Sequence, residues 1–167
     1  MGYSLEQFAN ECRAVLKNGT DKSNLEKIGE IVRKALADQE FVKAHYSSDN
    51  TAERKVLYED PEYGFCILSH VYEGAKESAP HDHGPSWAVY GQVAGATDMT
   101  DWKLLQKADG DQPGKVEKVQ TYTLTPGMAR VYGIGDLHSP SRKSATKLLR
   151  MEGKNMDKVK RDKFVAA

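Results

Sequence analysis

The hydrophobic period of this chain changes once, near residue 51, and that change restricts the fold more than any other feature. Before it, apolar residues recur at three- and four-residue steps: Leu5, Phe8, Cys12, Val15 and Leu16, then Leu25, Ile28, Val32, Ala35 and Leu36. Ser4 to Gln7 and Ser23 to Glu26 read as capping boxes, Asn18-Gly19 as a stop, and a short third helix is expected over about 38–46. After it, short apolar runs alternate with turns. Strands are expected over 55–58, 65–72, 86–90, 96–99, 102–106, 116–124, 129–132 and 147–151, separated by stretches such as 109–114 and Thr125-Pro126-Gly127. Many short strands with no helix between them imply an antiparallel sandwich or barrel. The chain is therefore read as one domain: a helical segment over 1–46, a barrel over 47–153 and a tail over 154–167.

Charge excludes some partners. Lysine and arginine number 24 and aspartate and glutamate 24, so the chain has no electrostatic footprint for nucleic acid or an anionic membrane. The late basic run 158–163 is interrupted by Asp162 and reads as a solvated terminus. The first residues carry acidic side chains where a signal peptide needs an apolar core, and a cytoplasmic location is expected. Cys12 and Cys66 fall on apolar positions and read as small buried hydrophobes rather than a disulfide.

The chemistry starts at Pro80-His81-Asp82-His83-Gly84-Pro85-Ser86-Trp87, which uses two of only five histidines. On a strand, His81 and His83 project from one face and Asp82 from the other, so both imidazoles can converge on one metal ion. Asp136 precedes His138 by two residues and is a candidate to orient it. His45 and His70 have no partner at ligand spacing and are assigned structural roles. Trp87, Tyr90, Trp102, Tyr122 and Tyr132 are read mainly as barrel packing, with Trp87 and Tyr90 as candidates to line a substrate pocket. Arg130 alternates with Val131, and its direction is left open.

Two stretches resemble the paired motifs of the cupin family, small double-sheet jelly rolls. Gly74, His81, His83 and Gly95 follow the first motif, with Ala88 where its glutamate stands. Gly127, Gly133, Gly135 and His138 follow the second, with Gly133 in the proline place and Arg142 in the asparagine place. Loss of the glutamate leaves three histidines, the set of cysteine dioxygenase and its thiol dioxygenase relatives. Those proteins pair an N-terminal helical segment with a cupin barrel and bind ferrous iron. The resemblance spans roughly 5–153. It implies a mainly β fold, an antiparallel double-sheet jelly-roll barrel with an N-terminal helical segment. It also implies His81, His83 and His138 as metal ligands and Arg54 as the group that binds a substrate carboxylate. The relatives' Ser-His-Tyr relay is absent: Leu148, Arg150 and Glu152 occupy its places. Free cysteine is accordingly not the expected substrate.

These features together predict a mononuclear metal enzyme. The expected activity is that of an iron(II) dioxygenase acting with O2 on a small organic acid or other chelating substrate. Arg150 or Arg54 would neutralise the substrate's anionic group, and Glu152 would assist proton transfer. Imidazoles also suit zinc, nickel, manganese and copper. A zinc or nickel isomerase or hydrolase, or a non-enzymatic metal- or ligand-binding module, therefore stands beside the oxygenase reading. A monomer or a homodimer is compatible with the sequence.

Overall fold

The computed structural model describes residues 2–159 and 161–167. Three helices form where the apolar spacing places them: α1 (Leu5–Leu16), α2 (Lys22–Ala37) and α3 (Gln39–His45). Ser4 caps α1 through both halves of a capping box: its Oγ accepts from the Gln7 N–H at 3.1 Å, and Gln7 Oε1 accepts from the Ser4 N–H at 2.9 Å. The second cap differs from expectation. Asp21, not Ser23, starts α2, its carboxylate accepting from the Asn24 N–H at 2.8 Å. A carboxylate there also meets the positive end of the helix dipole, an advantage serine lacks.

The strands are β1 (Lys55–Glu59), β2 (Cys66–Tyr72), β3 (Lys76–Glu77), β4 (Ala88–Ala94), β5 (Thr97–Gln106), β6 (Gly114–Leu124), β7 (Ala129–Tyr132), β8 (Leu137–Arg142), β9 (Thr146–Glu152) and β10 (Phe164–Ala166). They form two five-stranded sheets, ordered β1-β2-β9-β4-β7 and β10-β6-β5-β8-β3. Facing each other, these sheets make a cupin-like barrel carrying a helical N-terminal segment, as the sequence implied. No helix among the described residues is long and apolar enough to cross a membrane.

Three differences from the sequence reading have physical causes. The two runs at 96–99 and 102–106 are one strand, β5, and the register slips between Asp101 and Trp102, where a bulge interrupts the alternation. Strand β8 was not expected, because Pro140 sits in its middle and proline usually demotes a strand. Here the Pro140 carbonyl still accepts from the Ser78 N–H at 3.0 Å, and β8 pairs with both β5 and β3. The C-terminal stretch is not only a solvated tail: β10 adds to β6 as the parallel member of an otherwise antiparallel set. Of the basic run before it, Arg161, Asp162 and Lys163 are exposed, and Lys160 lies outside the described residues.

The helices cover the outer face of the first sheet. Phe8, Cys12, Ile28, Val32 and Phe41 pack against Phe65, Ile67, Val89, Leu149 and Met151. Each large side chain buried there stabilises the fold by roughly 1.5–3 kcal/mol. Both cysteines are buried and unbonded to each other. Close approach of α2 to β4 needs Gly91, where a methyl group would stand 2.8 Å from Val32 Cγ1 and 3.0 Å from the Leu149 carbonyl. Strand alternation then sends the neighbouring side chains inward. Leu68, His70 and Tyr72 of β2, Leu148, Arg150 and Glu152 of β9, and Ala88 and Tyr90 of β4 all share the barrel side, because Leu68 and Tyr90 both pair with Arg150. This register places Arg150 and Glu152 in the interior.

Candidate metal centre

Three short pieces of chain bring the histidines together. His81 is not on a regular strand: it forms a single bridge to His138 of β8, the two exchanging backbone hydrogen bonds at 2.9 Å each. Past His81 the chain turns. Asp82 Oδ1 accepts from the Gly84 N–H at 2.9 Å, and Gly84 adopts φ +57°, a left-handed conformation that suits glycine. The turn swings His83 to the same point that His81 and His138 face. The ligand atoms of the three residues lie within 4.8 Å of one another, and the group can hold a metal ion.

The hydrogen bonds fix which nitrogens face inward. His81 Nδ1–H donates to the Ala79 carbonyl at 2.9 Å, and His138 Nδ1–H to the Asp136 carbonyl at 3.0 Å. A carbonyl only accepts, so both rings carry their proton on Nδ1 and present a bare Nε2. The orienter of His138 is thus the main chain of Asp136. That residue's carboxylate instead accepts from the Gly133 N–H at 2.7 Å. His83 Nε2 lies 3.1 Å from His138 Nε2. Burial, the dominant cause, lowers all three basicities: His81 goes down to about 4, and His83 and His138 fall further. Neutral imidazoles are what a metal requires.

Tyr90 completes the centre. Its hydroxyl oxygen is 3.3, 3.0 and 3.1 Å from the Nε2 atoms of His81, His83 and His138. His81 and His138 each present a bare Nε2, and one phenol hydrogen cannot serve both, while His83 Nδ1 has no partner among the described residues. A divalent cation amid the three Nε2 atoms would satisfy the open lone pairs together. The donor set therefore fits a metal. Tyr132 stacks on His138 with ring centroids 4.0 Å apart, and its hydroxyl reaches Asp101 at 3.0 Å. Sequence reasoning had left Tyr132 as packing. Its two-residue alternation from Arg130 was the available signal.

A chain of charges stands behind Tyr90. The Arg150 guanidinium lies 4.5 Å over the Tyr90 ring and 3.5 Å from Glu152, which is buried and accepts from Arg54 at 3.1 and 3.3 Å. Arg54 also contacts Asp157 at 2.9 Å. Glu152 has no hydrogen bond to a histidine among the described residues, and Arg54 is occupied by carboxylates. Trp87 is not brought to the centre. It packs in the cluster between sheet and helices, on the opposite face of the chain from Ala88 and Tyr90. Arg130 is exposed, pairing with Asp101 at 3.3 Å. His70 donates from Nδ1 to the Glu53 carbonyl at 2.6 Å, and His45 packs on Phe41, neither joining the cluster.

Sequence reasoning noticed Arg142 only as a departure from a motif. In the structure it is buried beneath Tyr72, its guanidinium 4.7 Å from that ring, with Nε and one terminal nitrogen unpartnered. Burial pulls its basicity below the ordinary value, and nearby Arg150 adds to the effect. Arg150 Nε is likewise without a partner. A guanidinium keeps its charge at neutral pH, so Arg142 is a buried cation with no ion-pair partner among the described residues, whereas Arg150 has Glu152. A cleft of about 710 Å³ is lined by His81, Arg150, Tyr72, Pro140, Arg161 and Phe164 among others.

No family model matches the sequence, and no curated protein matches it. Solved structures do resemble it. A cupin superfamily protein from Desulfitobacterium hafniense shares 13% identity at a TM-score of 0.45, covering 61% of this chain and 76% of that one. A cupin-2 domain containing protein from Shewanella frigidimarina shares 20% at 0.42, covering 64% and 79%. KdgF from Halomonas sp. shares 16% at 0.45, covering 64% and 82%. The fold assignment rests on strand order and register, to which likenesses of this size add nothing.

Proposed function

We propose that this chain is a cytoplasmic, mononuclear metal-dependent enzyme, an iron(II) dioxygenase-like oxidoreductase acting on a small organic acid. The observation that carries the reading is the convergence of three neutral imidazoles, one of which, His81, lines a cleft together with Arg150. His81, His83 and His138 would hold the ion. When bound, ferrous iron supplies the redox chemistry that lets dioxygen react with an organic substrate.

The remaining residues bind and orient. Arg150 lines the cleft and faces an entering carboxylate, so it neutralises the substrate's charge close to the histidines. Arg142 deepens the positive potential behind it. Glu152 fixes Arg150, and Arg54 fixes Glu152 from the other side. Glu152 is thus a positioning residue in this proposal rather than the proton-transfer group expected from sequence. Arg54 takes a supporting place rather than the substrate carboxylate. In this reading the resemblance to thiol dioxygenases is limited to three histidines and a helical N-terminal segment, and Leu148, Arg150 and Glu152 in the places of the relay favour a carboxylate over a thiol.

Elemental analysis of untagged protein purified without added metal tests the reading, beside His83→Ala. Near-stoichiometric iron lost in the variant, together with oxygen uptake driven by a member of a carboxylic-acid panel, is the expected result. Stoichiometric zinc or nickel without oxygen uptake would move the activity to isomerase or hydrolase chemistry. Absence of metal even after anaerobic reconstitution with iron(II) overturns the enzyme reading.

A further inference from the structure

We infer that the phenol oxygen of Tyr90 is a fourth protein ligand, so that the centre is a three-histidine, one-tyrosine site. The inference rests on a metal binding at the histidines and not on what reaction follows.

Its basis is an equality of distances. Tyr90 Oη stands 3.3, 3.0 and 3.1 Å from the three Nε2 atoms that converge there. Around a metal bonded to its ligands at roughly 2.0–2.1 Å, tetrahedral neighbours lie about 3.3 Å apart. In an octahedron carrying three ligands on one face, every remaining position is about 4.1 Å from the ligand opposite it and only about 2.9 Å from its neighbours. An oxygen equally near all three nitrogens therefore matches the fourth corner of a tetrahedron and no corner of an octahedron.

One neighbour favours a phenolate. Tyr90 is fully buried on β4, opposite Arg150 on β9, and the guanidinium lies 4.5 Å over its ring. That cation stabilises negative charge on the phenol oxygen and offsets part of the cost of burying it, and Glu152 holds the cation at 3.5 Å. On coordination the oxygen–hydrogen bond breaks, the proton leaves to solvent, and the oxygen lone pair forms the bond to the metal. No electron is transferred. One consequence concerns substrate. Four protein ligands at the corners of a tetrahedron fill that geometry. A substrate that chelates through two atoms therefore has to displace Tyr90 or widen the coordination around it.

The test uses the full chain reconstituted anaerobically with one equivalent of iron(II), then oxidised to iron(III) with a one-electron oxidant. Wild type is expected to show a visible phenolate-to-iron charge-transfer band, with tyrosinate ring modes enhanced in resonance Raman. Tyr90→Phe is expected to retain iron and lose both signals. Tyr132→Phe, whose ring stacks on His138 but whose hydroxyl points to Asp101, keeps them. Cobalt(II) in place of iron is expected to give the intense visible absorption of a four-coordinate site. Bound iron with no phenolate modes in wild type overturns the inference alone, whatever the variant does. Signals that persist in Tyr90→Phe do the same. Failure of wild type to bind iron or cobalt any better than His83→Ala overturns the metal centre and this inference together.

Discussion

Replacing Glu152 with glutamine removes one charge from the middle of the interior network and leaves the shape unchanged. Glu152 is 1% exposed and accepts from Arg54 at 3.1 and 3.3 Å and from the Met156 N–H at 3.4 Å, with Arg150 3.5 Å away. Glutamine keeps one acceptor and turns an amide donor toward a guanidinium that is also a donor. Breaking a buried ion pair by removing one partner costs about 3–5 kcal/mol. The Arg54 side chain is a quarter exposed and keeps Asp157 at 2.9 Å, so the lower end applies, about 3 kcal/mol. In a chain of this size that is a fall of about 6–12 °C in melting temperature. Urea unfolding should show a lower midpoint with an unchanged slope, the signature of lost stability without a changed denatured state. Adding Arg54→Met to Glu152→Gln should recover part of the loss, because the stranded cation is gone. Metal content should be unaffected, since Glu152 touches no histidine. A loss below about 1 kcal/mol would place the pair among weak surface bridges and refute the buried-network argument. A Glu152→Gln protein that folds but no longer holds metal would make Glu152 a ligand.

Two further outcomes follow from the same interior. The metal-free protein should lose stability as pH falls. His81 has a folded value of about 4 against 6.5 unfolded, so the unfolded chain takes up its proton first. The stabilisation is whole above about pH 6.5 and is lost on descending to about 4. His81 alone contributes up to about 3 kcal/mol there, and His83 and His138 act in the same direction. Urea midpoints at several pH values measure this, and a flat profile across that window would contradict buried neutral imidazoles. Arg142→Met should stabilise the ligand-free fold by about 1–4 kcal/mol, because it removes an unpaired buried cation. Millimolar formate is expected to raise the melting temperature of wild type and to leave that of Arg142→Met unchanged. An equal formate effect in both proteins would show that the interior cations do not recruit a carboxylate.

Much of this architecture was legible because it repeats locally. The spacing of Phe8, Cys12 and Leu16 fixes a helix face within one element, and the short apolar run from Phe65 to Leu68, following the turn at Gly64, marks a strand buried on both faces. His81 and His83 could be found from their spacing in His81-Asp82-His83, whereas His138 was reached only through the likeness to the second cupin motif. What escaped depends on partners far along the chain. Pro140 argued against a strand that β5 and β3 nevertheless complete. Phe164 sits in a run of charges and gains its place only because Gly114 leaves room for its ring: a methyl group at Gly114 would stand 2.7 Å from it. Trp87 and Tyr90 look alike as candidate pocket residues, yet three steps of alternation put them on opposite faces of β4's sheet. Arg54 and Glu152 were each assigned a task toward substrate, and their mutual contact could not be read without the pairing of β9.

The bridge between His81 and His138 bears on how the centre is assembled in time. Two of its three imidazoles hang from one rung of main chain, closed by a pair of 2.9 Å hydrogen bonds. Their spacing is therefore settled when β8 docks, and the loop-closure entropy of joining these distant segments is met by folding, with or without an ion. His83 hangs instead from a turn, held by the hydrogen bond from the Gly84 N–H to Asp82 Oδ1 at 2.9 Å. An ion that binds ties this turn to a rung already closed. The ion adds to overall stability by mass action on a fold that already stands. Its removal should be felt first as faster backbone hydrogen exchange at 82–86, with the rung itself still protected.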